Sequence, residues 1–193
     1  SEIVDRKKPT CAPEEYKPFD FEGNDGIAPL AHFGSEYVFK ISGTTHDERG
    51  WANSTPANAD KFVRHYTDKI EKNRDDIVMT RKYNMEDAEY VLISFGVSAR
   101  SSLAAMEIAR GQGKKVGVLE LLTLWPFADK EVREACQQAK GVVVPEMNLG
   151  QVIREVKRLN DTKVPVLGVN RVDSKIITPY QIIEALEEVE KCR

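Results

Sequence analysis

Four short stretches hold the residue types that could do chemistry. The first is "GTTHDERGW", residues 43–51, which sets His46, Asp47 and Glu48 side by side. Alternate residues of an extended chain share a face, so this run could offer a metal two ligands from one side. A catalytic metal site usually needs three protein ligands. Neither His32 nor His65 stands at a spacing that supplies the third. His46 beside a carboxylate could instead exchange protons as an acid/base pair. The same residues also suit a hydrogen-bonded turn that docks against the domain or a partner.

The second stretch is "PEMNLGQVIREV", residues 145–156, which follows the apolar run "GVVV". Glu146 and Asn148 fall at the end of a strand, and Gln151 at the start of a helix. Carboxyl ends of strands in open α/β sheets are where ligands usually sit. Carboxylate and amide side chains there can hold a ligand or a neighbouring loop, but they are poor nucleophiles. The third stretch is "ISFGVSARSS", residues 93–102. Gly96, Ser98, Arg100, Ser101 and Ser102 sit where a strand runs into a helix, and free N–H groups at that point could hold an anion. Neither G-x-G-x-x-G nor G-x-x-x-x-G-K-[ST] is present, so the signal is weak and a plain strand–helix turn with a Ser cap is the leading reading. The fourth is "LLTLWPFADKE", where Pro126 stops the strand. Trp125 and Phe127 either pack or, if exposed, anchor an interface. No Ser-His-Asp, Cys-His or H-E-x-x-H set is legible. The chain carries no complete catalytic apparatus.

The elements that must position these residues differ along the chain. Residues 1 to about 85 are irregular and hold most of the prolines. Within them, "SEYVFKISG" alternates as a strand over 36–42, with Tyr37, Phe39 and Ile41 on one face. A helix follows from Thr55 as N-cap and Pro56 in the first turn, with Phe62, Tyr66, Lys69 and Ile70 on one side. From Asp87 onward strand and helix alternate. Strands are expected at 90–95, 114–122, 141–145 and 164–169. Helices are expected from Ser98, from Asp129 as N-cap, over 149–159, and from Thr178 with Pro179 at the first position. In the last helix Ile182, Ile183, Leu186 and Val189 face the sheet. Such βαβ units imply a three-layer α/β/α sandwich around a mostly parallel sheet, with strand 36–42 added at an edge. The expected division is an irregular arm over 1–34 and an α/β domain over 35–193.

Composition removes several function classes. The 193 residues are 41% hydrophobic and 31% charged, with a net charge of −3. Nothing is built to neutralise phosphates over a large area, so nucleic acid is not an expected partner. No apolar run approaches the ~20 residues that span a bilayer. The opening "SEIVDRKKPTCAPEEYKPFDFEG" is charged where a secretory signal is apolar. Cys11, Cys136 and Cys192 are odd in number and far apart. They suggest neither a disulfide framework nor a zinc set, and a reducing cytoplasmic setting is expected. The chain opens on Ser1 in a polar, Pro-containing segment, as a domain boundary or linker does.

The ordered combination is more specific than its parts. "HDERG", then "VLISFGVSARSSLAAMEIARGQGKKVGVLELLTLWPF", then "VVVPEMNLGQVIREV" resembles the alpha subunit of 2-oxoacid:ferredoxin oxidoreductases, which act on pyruvate, 2-oxoglutarate or 2-ketoisovalerate. The resembling part is the region after the thiamine-pyrimidine domain, similar to the C-terminal domain of transketolase. It runs from Val4–Arg6 to the last helix. The family's H-D-E-x-G and E-x-N-x-G-Q patterns are intact at His46–Gly50 and Glu146–Gln151. The resemblance implies a complex that decarboxylates a 2-oxoacid on thiamine diphosphate with Mg, passes electrons through iron–sulfur clusters to ferredoxin, and gives the acyl group to coenzyme A. It implies no cofactor in this chain, because cluster ligation needs several closely spaced cysteines. Its expected partners are thiamine- and cluster-bearing chains in a hetero-oligomer. The expected role is non-catalytic support, with His46, Asp47, Glu48, Glu146, Asn148 and Gln151 as the polar contact set. The rival expectations are a free-standing nucleotide or coenzyme A binding module using Gly96–Ser102, and an enzyme with His46 as acid/base.

Overall fold

A computed structural model describes residues 3–23, 25–41 and 43–192. The chain divides into two compact units, Ser1–Asn73 and Arg74–Arg193.

The second unit is an α/β sandwich. Its order is α2 (Arg74–Ile77), β1 (Thr80–Tyr83), β2 (Tyr90–Phe95), α3 (Gly96–Gly111), β3 (Val116–Leu121), α4 (Asp129–Gln138), β4 (Gly141–Glu146), α5 (Val152–Leu159), β5 (Val166–Asn170) and α6 (Pro179–Lys191). The strands lie in the order β1-β3-β2-β4-β5. β3, β2, β4 and β5 run parallel, and β1 pairs antiparallel with β3. Alternation along each strand feeds two cores. Val91, Ile93, Leu119, Leu121, Val142 and Val144 pack with residues of α4 and α5. Leu92, Val116, Val118 and Val143 pack with residues of α3 and α6 on the other face. Each such buried side chain contributes roughly 1.5–3 kcal/mol, so the two covered faces hold the sheet from both sides. Gly117 is required by a close approach: a Cβ there would meet Met85 Sδ at 2.8 Å and Asn84 O at 2.9 Å.

Most sequence expectations hold in this unit. Thr178 and Gln181 form a reciprocal capping box, and Ile182, Ile183, Leu186 and Val189 are buried. Two details differ. Helix α3 begins at Gly96, two residues before Ser98. Asp129 is the first residue of α4 and not its cap: Ala128 takes the cap position without a side-chain bond, and the Asp129 carboxylate accepts from Arg158 instead. Strand β1 was not expected. "TRKY" is short and half charged, as edge strands are when they resist pairing with another chain.

The first unit is held by aromatic side chains and an α-helix, α1 (Pro56–Lys72). The Tyr16 hydroxyl donates to Pro29 O and accepts from Ala31 N, each at 3.0 Å. The expected strand over 36–42 is corrected: residues up to Ile41 form no strand, and Ser42 lies outside the described residues. The alternation is real but records packing. Tyr37 and Phe39 turn their rings onto Tyr16, with centroids 5.1 and 6.1 Å away, while Ile41 is exposed. The sheet's edges are β1 and β5, so no strand from 36–42 is added there.

Candidate functional site

The turn after β4 is built around two acceptors. Glu146 is 0% exposed. Val152 N–H donates to its Oε2 at 2.8 Å and Ile153 N–H to its Oε1 at 3.0 Å. Gly150 and Gln151 N–H groups donate to Asn148 Oδ1 at 2.8 and 2.9 Å. A helix start leaves N–H groups without intrahelical partners; these two side chains take those of Gln151, Val152 and Ile153 at the start of α5, and Asn148 also takes that of Gly150 just before it. The negative carboxylate also lies at the positive end of the helix. Asn170 Nδ2 donates to Asn148 O at 3.0 Å, tying the turn to β5. Gly150 reverses the chain at φ +89°. Glu146 and Asn148 therefore bond inside their own domain, and Gln151 alone of the three is exposed.

This turn sits beside a topological switch. From β2 the sheet grows to β3 on one side and to β4 on the other, and α3 and α5 cover opposite faces. Doubly wound sheets hold ligands outside such a point. Here its buried polar groups are already taken. Ser94, fully buried, donates its hydroxyl to Pro145 O at 3.1 Å, and both Glu146 oxygens are committed to α5. Several of the side chains that the strand ends leave to solvent are apolar, beside the exposed Arg100, Gln151 and Asn170: Leu149 is 77% exposed and Trp125 61%, with Val97, Leu122 and Leu124 also exposed.

The Gly96 stretch separates into two faces. Gly96, Val97 and Arg100 line a cavity of about 610 Å³ with Arg81, Tyr83 and Glu120. The Tyr83 hydroxyl donates to Glu120 at 2.9 Å. Ser98, Ser101 and Ser102 are buried elsewhere on the helix, and Ser102 donates back to Ser98 O at 3.0 Å. The structure thus brings Gly96 and Arg100 to one cavity but not the three hydroxyls.

In the first unit, "HDERG" folds as a tight turn. His46 and Ala52 form an antiparallel bridge. Asp47 Oδ1 accepts from Arg49 N and Trp51 N, each at 3.0 Å. Gly50 has φ +85°, and a Cβ there would lie 2.4 Å from Lys40 O, so only glycine fits. Glu48 O accepts from Phe19 N at 3.0 Å. His46 is 9% exposed; its Nδ1 lies 2.6 Å from Thr44 O, and its Nε2 is buried without a partner. Phe19 and Phe62 pack against its ring. Neither ring nitrogen is open to a substrate, so acid/base work at His46 has no access in this arrangement, and the turn reading fits the geometry.

Among the described residues no group of three or more His, Cys, Asp or Glu is placed to hold a metal ion. Cys136 is buried, while Cys11 and Cys192 are exposed. Burial, with a smaller contribution from Asp161, pushes the Cys136 thiol up to about 11, so it is no ready thiolate ligand. Among the described residues no helix is long and apolar enough to cross a membrane.

Residues 88–182 match the family model of the pyruvate:ferredoxin oxidoreductase core domain II. Over 186 residues the chain is 37% identical to the KorA subunit of 2-oxoglutarate synthase from Methanothermobacter marburgensis, covering 96% of this chain and 49% of that subunit. The chain belongs to the 2-oxoacid:ferredoxin oxidoreductase family. A further relative within that oxidoreductase family is the VorB subunit of ketoisovalerate oxidoreductase from the same organism, 32% identical over 62% of this chain and 33% of that subunit. Among solved structures, a 2-oxoglutarate:ferredoxin oxidoreductase from Magnetococcus marinus shares the fold, with a TM-score of 0.77 and 23% identity over 97% of this chain and 33% of that one. A split gene transketolase matches at a TM-score of 0.50 and 18% identity over 57% of this chain and 41% of that one. The chain spans about half the length of the KorA subunits it matches. In this oxidoreductase domain, sequence reasoning missed the exposed Leu149. The signal was present: a leucine sits between Asn148 and Gly150, where a solvent turn takes polar residues.

Proposed function

We infer that this chain is a support domain of a thiamine diphosphate-dependent 2-oxoacid:ferredoxin oxidoreductase complex. In that complex a 2-oxoacid, coenzyme A and oxidised ferredoxin become acyl-CoA, CO2 and reduced ferredoxin. Thiamine diphosphate with Mg and the iron–sulfur clusters would be held by other domains or chains. The observation that carries the reading is the strand-end turn. Its buried carboxylate and half-buried amide accept the N–H groups around the start of α5, while Leu149 and Trp125 face solvent. Such a turn holds an apolar surface in shape, and a rigid apolar anchor within a polar rim is what an assembly interface uses. His46, Asp47 and Glu48 play a like part in the first unit by fixing a turn, and Gln151 is the exposed polar group of the second.

The test mixes the purified chain with a 2-oxoacid, coenzyme A and a viologen dye. The expected result is no dye reduction by the chain alone; reduction would overturn the reading. In the complex, Leu149→Asp should weaken association of the chain with its partners while leaving the chain folded. The cavity beside Gly96 and Arg100 supports a second reading, a nucleotide or coenzyme A binding module. Calorimetric titration with coenzyme A decides it, and tight binding to the isolated chain would favour it.

A further inference from the structure

The first unit contains a cavity that the support role does not use. Its volume is about 600 Å³, within the range of small-molecule sites. Phe19, Phe21, Ile27, Leu30 and Tyr66 give it an apolar wall. The His65 ring stacks on Phe21, with centroids 3.5 Å apart and planes 5° from parallel. Burial, then the nearby Lys69, lowers the His65 pKa below its ordinary value. The imidazole is thus held towards its neutral form and extends the apolar wall.

The same cavity has cations without matching anions. Arg6, Lys7 and Lys69 line it, against Asp5 alone among carboxylates. Lys7 is spent on Asp25 at 3.1 Å. Among the described residues Arg6 and Lys69 carry no ion pair; Lys69 Nζ lies 5.7 Å over the Tyr66 ring. A guanidinium and an ammonium beside an aromatic wall match a ligand with a flat apolar body and one anionic end.

We propose that this cavity binds a small aromatic carboxylate, the ring against Phe21 and Tyr66 and the carboxylate at Arg6 and Lys69. A peptide strand is a poorer match. Strand addition needs an exposed sheet edge, and the described residues of this unit form no strand. The proposal stands apart from the assembly role, because it concerns the first unit alone and needs no partner chain.

The experiment is a two-dimensional NMR titration of the full 193-residue chain. The probes are 3-phenylpropionate and its neutral counterpart 3-phenylpropanamide. The expected result is saturable shifts at Phe21, Gly26 and the His65 ring, with the anion about tenfold tighter than the amide, as two solvent-screened ion pairs allow. The double variant Arg6→Ala, Lys69→Ala should bring the anion down to the affinity of the amide. Arg6 is exposed and Lys69 half-buried, so far-UV circular dichroism should show the helix intact in that variant. No saturable shift, shifts centred elsewhere, or equal affinity of the two probes would each overturn the proposal. So would an anion preference that survives the double variant.

Discussion

Replacing Glu146 by Gln asks whether the E-x-N-x-G-Q turn is a helix-starting device. The change keeps size and shape but turns one carboxylate oxygen into an N–H donor. Both oxygens now accept backbone N–H groups, at 2.8 and 3.0 Å. Whichever oxygen survives, one N–H at the start of α5 loses its acceptor and faces another donor. A hydrogen bond to a charged group is worth about 1.5–3 kcal/mol, and a charge at a helix start about 0.3–2 kcal/mol. Against this, an amide is less costly to bury than a carboxylate. The net loss should be about 2 kcal/mol, or a fall in Tm of roughly 4–8 °C for a chain of this size. Urea unfolding followed by far-UV circular dichroism reads it as a lower midpoint at unchanged slope. A loss under about 0.5 kcal/mol, the range of an ordinary surface change, would refute the reasoning. Glu146 would then be free for other work.

Three further outcomes follow from the same structure. Gly117→Ala should cost about 1–3 kcal/mol by overpacking, because its new Cβ meets Met85, Ala88 and the Asn84 carbonyl within 2.9 Å; the same urea assay checks it. The Arg171 guanidinium holds the Asp173 carboxyl at about 2. A depressed carboxylate contributes above its unfolded value and loses that contribution as pH falls through its folded one, here toward pH 2; in Arg171→Ala a carboxyl NMR titration should find Asp173 back in the ordinary carboxylate range. Cys11 and Cys192 are exposed and Cys136 is buried with a raised thiol pKa, so Ellman's reagent at pH 8 should label two thiols promptly and the third only after unfolding.

The sandwich was legible because most of its strands are short apolar runs and its last helix carries a capping box. Thr178-Pro179 before Ile182, Ile183, Leu186 and Val189 states both where α6 starts and which face it buries. Strand β1 was hidden because Arg81 and Lys82 face solvent, leaving no alternation to read. Residues 36–41 misled for the opposite reason. Tyr37 and Phe39 alternate as a strand would, but their partner is the Tyr16 ring and not a neighbouring backbone. At the site, the types of Glu146, Asn148 and Gln151 were readable and their directions were not. A carboxylate at a strand end can reach outward or fold back onto the next helix, and periodicity carries no information about that choice. For His46 the adjacent carboxylates suggested chemistry, whereas Asp47 is occupied by the N–H groups of Arg49 and Trp51.

The central claim is that this chain works as one domain among thiamine- and cluster-bearing partners. It is tested most directly by capturing the native protein from its source cells with an antibody to this chain and measuring the masses of everything captured. The account predicts a longer bait polypeptide, or companion polypeptides that carry thiamine diphosphate and iron–sulfur clusters. Recovery of a lone polypeptide of 21.8 kDa would contradict it.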